Sequence, residues 1–174
     1  MEVYLASAAG LLSWCGKWRK IPTPLAHPTL LAACGADVAL ADSVNRLLYR
    51  QGRVSTLPPG VEVLRCWRNQ LLTLSSETNC LTLYDAHDYP LVTSPAGIRP
   101  CDCAIVDCQV IVCGCEDGCL HIFSLPDLRE IAAYPVPGCP MRVAADGGVL
   151  SCLSLLSPDP PQTLLFRLCL TSGD

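Results

Sequence analysis

Thirteen cysteines in a chain of 174 residues are the side chains best equipped for chemistry. Six of them fall in one stretch, PCDCAIVDCQVIVCGCEDGC, from Pro100 to Cys119. A thiolate metal site gathers four ligands tetrahedrally, usually from paired Cys-x-x-Cys knuckles. This chain has Cys-x-Cys at Cys101/Cys103 and at Cys113/Cys115, and no Cys-x-x-Cys anywhere. Those four cysteines are the candidate ligands if a metal is held; the spacing argues against one, and no cofactor is expected. Disulfides are also disfavoured. Thirteen is odd, no export signal is convincing, and two residues apart on one strand is a poor geometry for a bridge. A nucleophilic cysteine needs a base beside it, and His27, His87 and His121 stand at no informative spacing from any cysteine.

The elements that must carry these residues come from internal similarity. Units of roughly 35 to 44 residues recur, the range of four-stranded propeller blades. Their boundaries fall at about 1–35, 36–68, 69–107, 108–146 and 147–174. Each unit reads as a hairpin followed by two further short strands. Val110 to Cys115 and Cys119 to Phe123 flank Glu116-Asp117-Gly118, and Asp-Gly between apolar runs is a strong hairpin signal. Proline and glycine concentrate in the connections, where a missing donor or a special dihedral costs least. Runs such as QVIVCGC, LLTL and VLSCLSLL are nearly continuous in apolar residues, as in strands covered on both faces. The fold expected is all-β: a propeller of four-stranded antiparallel blades, about five units, forming an incomplete or open arc, with a closed five-blade ring as the alternative. Across units, Cys113 and Cys115 match Leu74 and Ser76, and also Cys152 and Ser154. Cys119 matches Cys80, and Cys103 matches Cys66 and Val143. Cysteine thus alternates with leucine, valine and serine, which is how a small core residue behaves between stacked sheets.

The stretch EDGCLHIFSLPDLREIAAYPVPGCPMRVAADGGVLSCL resembles the YVTN-type, lactonase-like propeller repeat. Gly118, Gly138, Pro140, Asp146 and Gly147 occupy its turn positions, and Gly97, Pro100 and Asp107 repeat part of the pattern one unit earlier. Val63 stands where a proline would in the second unit. The group includes lactonase-like enzymes, cofactor-bearing domains and binding proteins, so the resemblance implies a fold rather than an activity.

A second chemical feature depends on that architecture. Aligned from the turn glycines, with one shift at GCP, Arg65, Asp102 and Arg142 form a column on the innermost strands. Charges are unusual in such strands, and an arginine fork suits carboxylate or phosphate. The expectation is a small anionic ligand at the axis, with Arg99 on the neighbouring rim. The competing expectation is an Arg–Asp–Arg structural network, since buried charges are normally paired. Acids at the hairpin turns (Asp42, Glu77, Glu116, Asp117 and Asp159) could hold a cation, though Asp is common in solvated turns anyway.

Bulk properties narrow the classes. Hydrophobic residues make up 51% and charged ones 16%, with a net charge of −4, so electrostatic capture of nucleic acid is not expected. The cluster Lys17, Arg19 and Lys20 reads as a solvated loop. No segment reads as transmembrane. The start lacks a basic n-region and carries Glu2, so it is a poor signal peptide and the cytoplasm is the default. The function expected is a non-catalytic binding or interaction module, holding a small anion or pairing with another copy or a protein partner. The alternative is a lactonase-like hydrolytic propeller.

Overall fold

The computed structural model describes residues 3–7, 10–34, 37–97, 99–114, 116–146 and 148–169, the side chains of Val3, Ser7, Gly10, Cys34 and Asp37 excepted. Eighteen strands form five antiparallel sheets, with no helix among the described residues. The first sheet holds β1 (Val3–Ser7), β2 (Gly10–Trp14) and β3 (Trp18–Ile21). The second holds β4 (Leu30–Cys34), β5 (Asp37–Asp42), β6 (Leu47–Arg50) and β7 (Arg53–Thr56). The third holds β8 (Val61–Trp67), β9 (Gln70–Ser75), β10 (Cys80–Tyr84) and β11 (Pro90–Pro95). The fourth holds β12 (Pro100–Val106), β13 (Gln109–Gly114), β14 (Cys119–Ser124) and β15 (Glu130–Pro135). The fifth holds β16 (Cys139–Asp146), β17 (Val149–Pro158) and β18 (Pro161–Cys169). No helix among the described residues is long and apolar enough to cross a membrane.

Successive sheets stack face to face, which explains the apolar runs. On β9, Leu71 enters the core shared with the second sheet, while Leu72 and Leu74 enter the core shared with the fourth. Alternate residues of a strand point to opposite faces, and both faces here are dry. Ala39, Ala41 and Leu48 meet Leu64 and Leu71 at one interface. Leu81 and Leu83 meet Val110, Val112 and Phe123 at the next. Ile111, Cys113 and Leu120 meet Val143, Leu150 and Cys152 at the last. Each fully buried leucine contributes on the order of 2 kcal/mol.

The innermost strands β4, β8, β12 and β16 pack in sequence along the axis. Among the described residues packing runs from each sheet to the next, and none of comparable extent joins the first sheet to the fifth, which is compatible with an open arc. The first sheet presents Leu5, Trp14 and Trp18 outward, 48%, 39% and 51% exposed, with the two indole rings 5.3 Å apart. The fifth sheet ends differently. Its pair Ser151/Arg167 stands where Leu72/Leu83 and Ile111/Ile122 stand in the two preceding sheets. The next pair on that face is apolar: Leu153 and Leu165 stay 37% and 62% exposed, so the final face is mixed.

Two glycines are required by geometry. Gly138 has φ +75°, and a Cβ there would overlap the carbonyl oxygen of Leu155; at Gly60, φ +64°, it would overlap Glu77. Gly52 has φ +77° with open space around it. Gly52→Ala should therefore cost only the left-handed backbone, about 1 kcal/mol. Gly138→Ala should cost clearly more, because the chain must also move. Urea unfolding of the two variants checks the order; equal midpoints would mean that the loop carrying Gly138 does not sit against β17.

Candidate functional site

The inner strands β8, β12 and β16 share a local distortion. Each opens with a bulge against its neighbour, between Val61 and Val63, Pro100 and Asp102, and Pro140 and Arg142. A bulge inserts one unpaired residue and breaks the alternation of faces. The inserted residues are Glu62, Cys101 and Met141. Register then equates Val63, Asp102 and Arg142, whereas Arg65 is equivalent to Ala104 and Ala144. The column expected from the turn glycines is thus out by two residues in the third sheet. The loops enter their strands at Val61, Pro100 and Cys139 after glycines at 60, 97 and 138, so connections of unequal length displaced the alignment.

Arg65 nevertheless reaches Asp102. One terminal nitrogen donates to Asp102 Oδ1 at 2.8 Å, Nε to the Cys103 carbonyl at 2.8 Å, and the other terminal nitrogen to the Leu64 carbonyl at 3.0 Å. Asp102 Oδ1 also accepts the Cys103 N–H at 2.9 Å, and Oδ2 accepts the Val143 N–H at 3.1 Å. One carboxylate therefore ties β8, β12 and β16 together. Arg142 is exposed and donates to the carbonyl of Met141 at 2.8 Å; among the described residues no carboxylate pairs with it. Arg65, Asp102 and Arg142 line one cleft of ≈ 310 Å³, with Leu30, Glu62 and Cys101. Arg99 lies elsewhere. It pairs with Glu116 at 3.1 Å on the exposed rim, a contact worth well under about 1 kcal/mol.

The cysteines divide by face. Cys103 is buried in the core of the third and fourth sheets, and burial pushes its thiol up to about 12. Cys113 and Cys152 belong to the core of the fourth and fifth sheets, where burial pushes Cys152 up to about 11. Cys101 joins that second group, its Sγ 3.5 Å from Cys113 Sγ. Of the four candidate thiolate ligands, only Cys101 and Cys113 meet; Cys103 points the other way, and Cys115 lies outside the described residues. Among the described residues no three acids, histidines or cysteines converge as a metal site. Two expectations are corrected. Register makes Cys113 equivalent to Leu74 and Leu153, not Cys152, and Cys103 equivalent to Leu64 and Val143, not Cys66. Cys66 is in a disulfide rather than a free thiol; its spacing in the sequence carries no information about a partner strand.

The rim residues are mostly structural. Asp42 is buried and accepts hydrogen bonds from the N–H of His27 at 3.1 Å and from Asn45 N–H at 2.9 Å and Nδ2 at 2.8 Å. His87 is exposed. His121 is bracketed, with Nδ1 2.7 Å from Glu130 Oε1 and Nε2 2.6 Å from Asp117 Oδ2. Burial of the ring opposes its charge, but the two carboxylates outweigh burial and hold its pKa above the ordinary 6.5. Sequence reading missed Arg50, which is 1% exposed. It closes the second sheet onto the third, donating to the Asp85 carbonyl at 2.9 Å and the Asn69 carbonyl at 2.5 Å. The visible signal was a lone arginine ending the apolar strand LLYR.

No family model and no curated protein matches this sequence. Solved structures do. AztD from Citrobacter koseri superposes with a TM-score of 0.68 at 14% identity, over 83% of this chain and 47% of that one. Hydrazine synthase from Kuenenia stuttgartiensis gives 0.67 at 12% identity, over 83% and 47%. The computationally designed Ika8 protein gives 0.69 at 9% identity, over 96% and 55%. The fold is that of a β-propeller. At these identities the likeness carries architecture alone, and this chain spans about half the length of these three propellers.

Asp102→Ala should cost about 2–4 kcal/mol, since it strands the buried Val143 N–H and a partly buried guanidinium; equilibrium unfolding measures it. His121 makes a pH-dependent contribution. A group whose pKa rises on folding stabilises fully below its unfolded value and loses that benefit as pH climbs through the folded value. The stability gap between wild type and His121→Gln should therefore shrink as pH rises above about 6.5. An imidazole NMR titration with a midpoint at or below that of a free histidine would contradict this.

Proposed function

We propose that this propeller arc is a non-catalytic binding module whose axial cleft takes a small anionic group. The observation that carries the reading is Arg142. It stands in the cleft with its fork turned to solvent and a single hydrogen bond to its neighbour's carbonyl. Arg65, by contrast, is held on three sides and forms part of the wall. A planar, permanently charged fork recognises carboxylate or phosphate in two-point fashion. Glu62, held by the Ser76 hydroxyl at 2.5 Å, lines the same space. Its charge favours ligands with one or two negative charges over polyanions. Calorimetry with malonate, inorganic phosphate and a nucleoside triphosphate tests this. Saturable binding of the first two, weakened about tenfold or more by Arg142→Ala, is expected. Absence of saturable heat with all three would sink it.

The interaction half of the reading rests on a different surface. The outward face of the first sheet is apolar at Leu5, Trp14 and Trp18, and among the described residues no strand pairs with the inner edge of β1. An open strand edge beside an apolar face invites another sheet. A second copy is the occupant we infer, because one further arc of this size would supply the length by which the propeller neighbours exceed it. Light scattering should report a dimer that is insensitive to salt, since apolar burial is not screened. Trp14→Glu should return it to monomer; a monomeric wild type at micromolar concentration counts against the pairing.

A further inference from the structure

We propose that the axial cleft is a zwitterion site, taking a linear amino acid whose carboxylate meets Arg142 and whose ammonium, at the other end, meets Glu62. The inference rests on the anion-binding reading of the same cleft and names the class of ligand. Two opposite charges share one space there and do not meet. Arg142 and Glu62 both line the cleft, yet among the described residues no ion pair joins them. Arg142 donates only to the carbonyl of Met141, at 2.8 Å. Glu62 accepts the Ser76 hydroxyl through Oε1, and its Oε2 has no hydrogen-bond partner among the described residues. Each charge is steadied by a neutral neighbour and left open toward the cleft.

The charges of the lining cancel. Arg65 and Asp102 neutralise each other across 2.8 Å, which leaves Arg142 and Glu62 as the remaining cation and anion. A simple anion entering this cleft gains Arg142 but meets Glu62, and like charges brought together repel. A ligand that also carries an ammonium turns that repulsion into a second charge-assisted hydrogen bond. An ammonium donates hydrogen bonds and accepts none, which suits an open carboxylate oxygen. The strands set the spacing of the two charges. Glu62 stands at the bulge of β8 and Arg142 just after the bulge of β16, and β12 packs between those strands. The charged groups of the ligand therefore sit at opposite ends of a chain, not on one carbon. Leu30 and Leu31 on β4 give its methylenes an apolar wall, and the volume of ≈ 310 Å³ lies at the small end of ligand pockets, which suits a single amino acid.

Calorimetry compares 6-aminohexanoate with hexanoate, which lacks the ammonium, with hexylamine, which lacks the carboxylate, and with glycine, which carries both charges on one carbon. The first should bind about tenfold or more tightly than each of the others. In Glu62→Gln the gap between 6-aminohexanoate and hexanoate should close. In Arg142→Ala the gap between 6-aminohexanoate and hexylamine should close. Both residues are exposed, so both variants should keep the circular dichroism spectrum of the wild type. Equal affinity for 6-aminohexanoate and hexanoate, or a gap that survives Glu62→Gln, overturns the zwitterion while malonate binding leaves the anion reading standing. Glycine binding as tightly as 6-aminohexanoate overturns the separated charges and the proposal with them. Absence of binding by malonate, phosphate, hexanoate and 6-aminohexanoate alike removes the anion reading and this proposal together.

Discussion

Every sheet between the first and the last is buried on both faces, and this constraint governs the rest of the molecule. A doubly covered strand cannot tolerate a polar side chain without a partner, so its composition collapses to alanine, valine, leucine, isoleucine, phenylalanine and cysteine. Cysteine belongs in that set as a small, weakly polar filler. The three thiols at 103, 113 and 152 sit among leucines and valines for that reason. The polar groups that do enter the stack are consumed by it. Arg50 and Trp67 donate across sheet boundaries to the carbonyls of Asn69 and Asp107, at 2.5 Å and 2.9 Å. Asp102 gathers three inner strands. These bonds fix how one sheet turns relative to the next, which apolar contact alone leaves loose.

Site and scaffold are therefore hard to separate along the axis. Arg65 and Asp102 look like ligand-binding charges when read one strand at a time. In three dimensions they are a cross-sheet clasp, and only Arg142 keeps free donors. The same reasoning applies on the rim, where Asp42 is saturated by its own turn and Arg99 meets Glu116 in solvent. What remains chemically open is narrow: one guanidinium and one glutamate around a common cleft.

The sequence made the strands legible because the double burial writes itself as uninterrupted apolar runs, punctuated by proline and glycine at the connections. It also marked Asp102 and Arg142 correctly as odd charges in such runs. It misplaced Arg65 by two positions because loop lengths between turn glycine and strand vary, and nothing in a run of apolar residues pins the register. The Cys101–Cys113 contact was out of reach for the same reason: it depends on a bulge, which has no composition of its own. Arg50 was visible as a residue, but its role lies in carbonyls of the next sheet, far along the chain.

The recurring bulge separates two jobs that a regular strand would fuse. Glu62, Cys101 and Met141 occupy one geometric address in three consecutive sheets and carry an acid, a thiol and a thioether. Because the inserted residue adds to the pairing ladder instead of filling a slot in it, its side chain can differ in kind from one sheet to the next: Glu62 lines the cleft, while Cys101 both lines it and packs against the core of the fourth and fifth sheets.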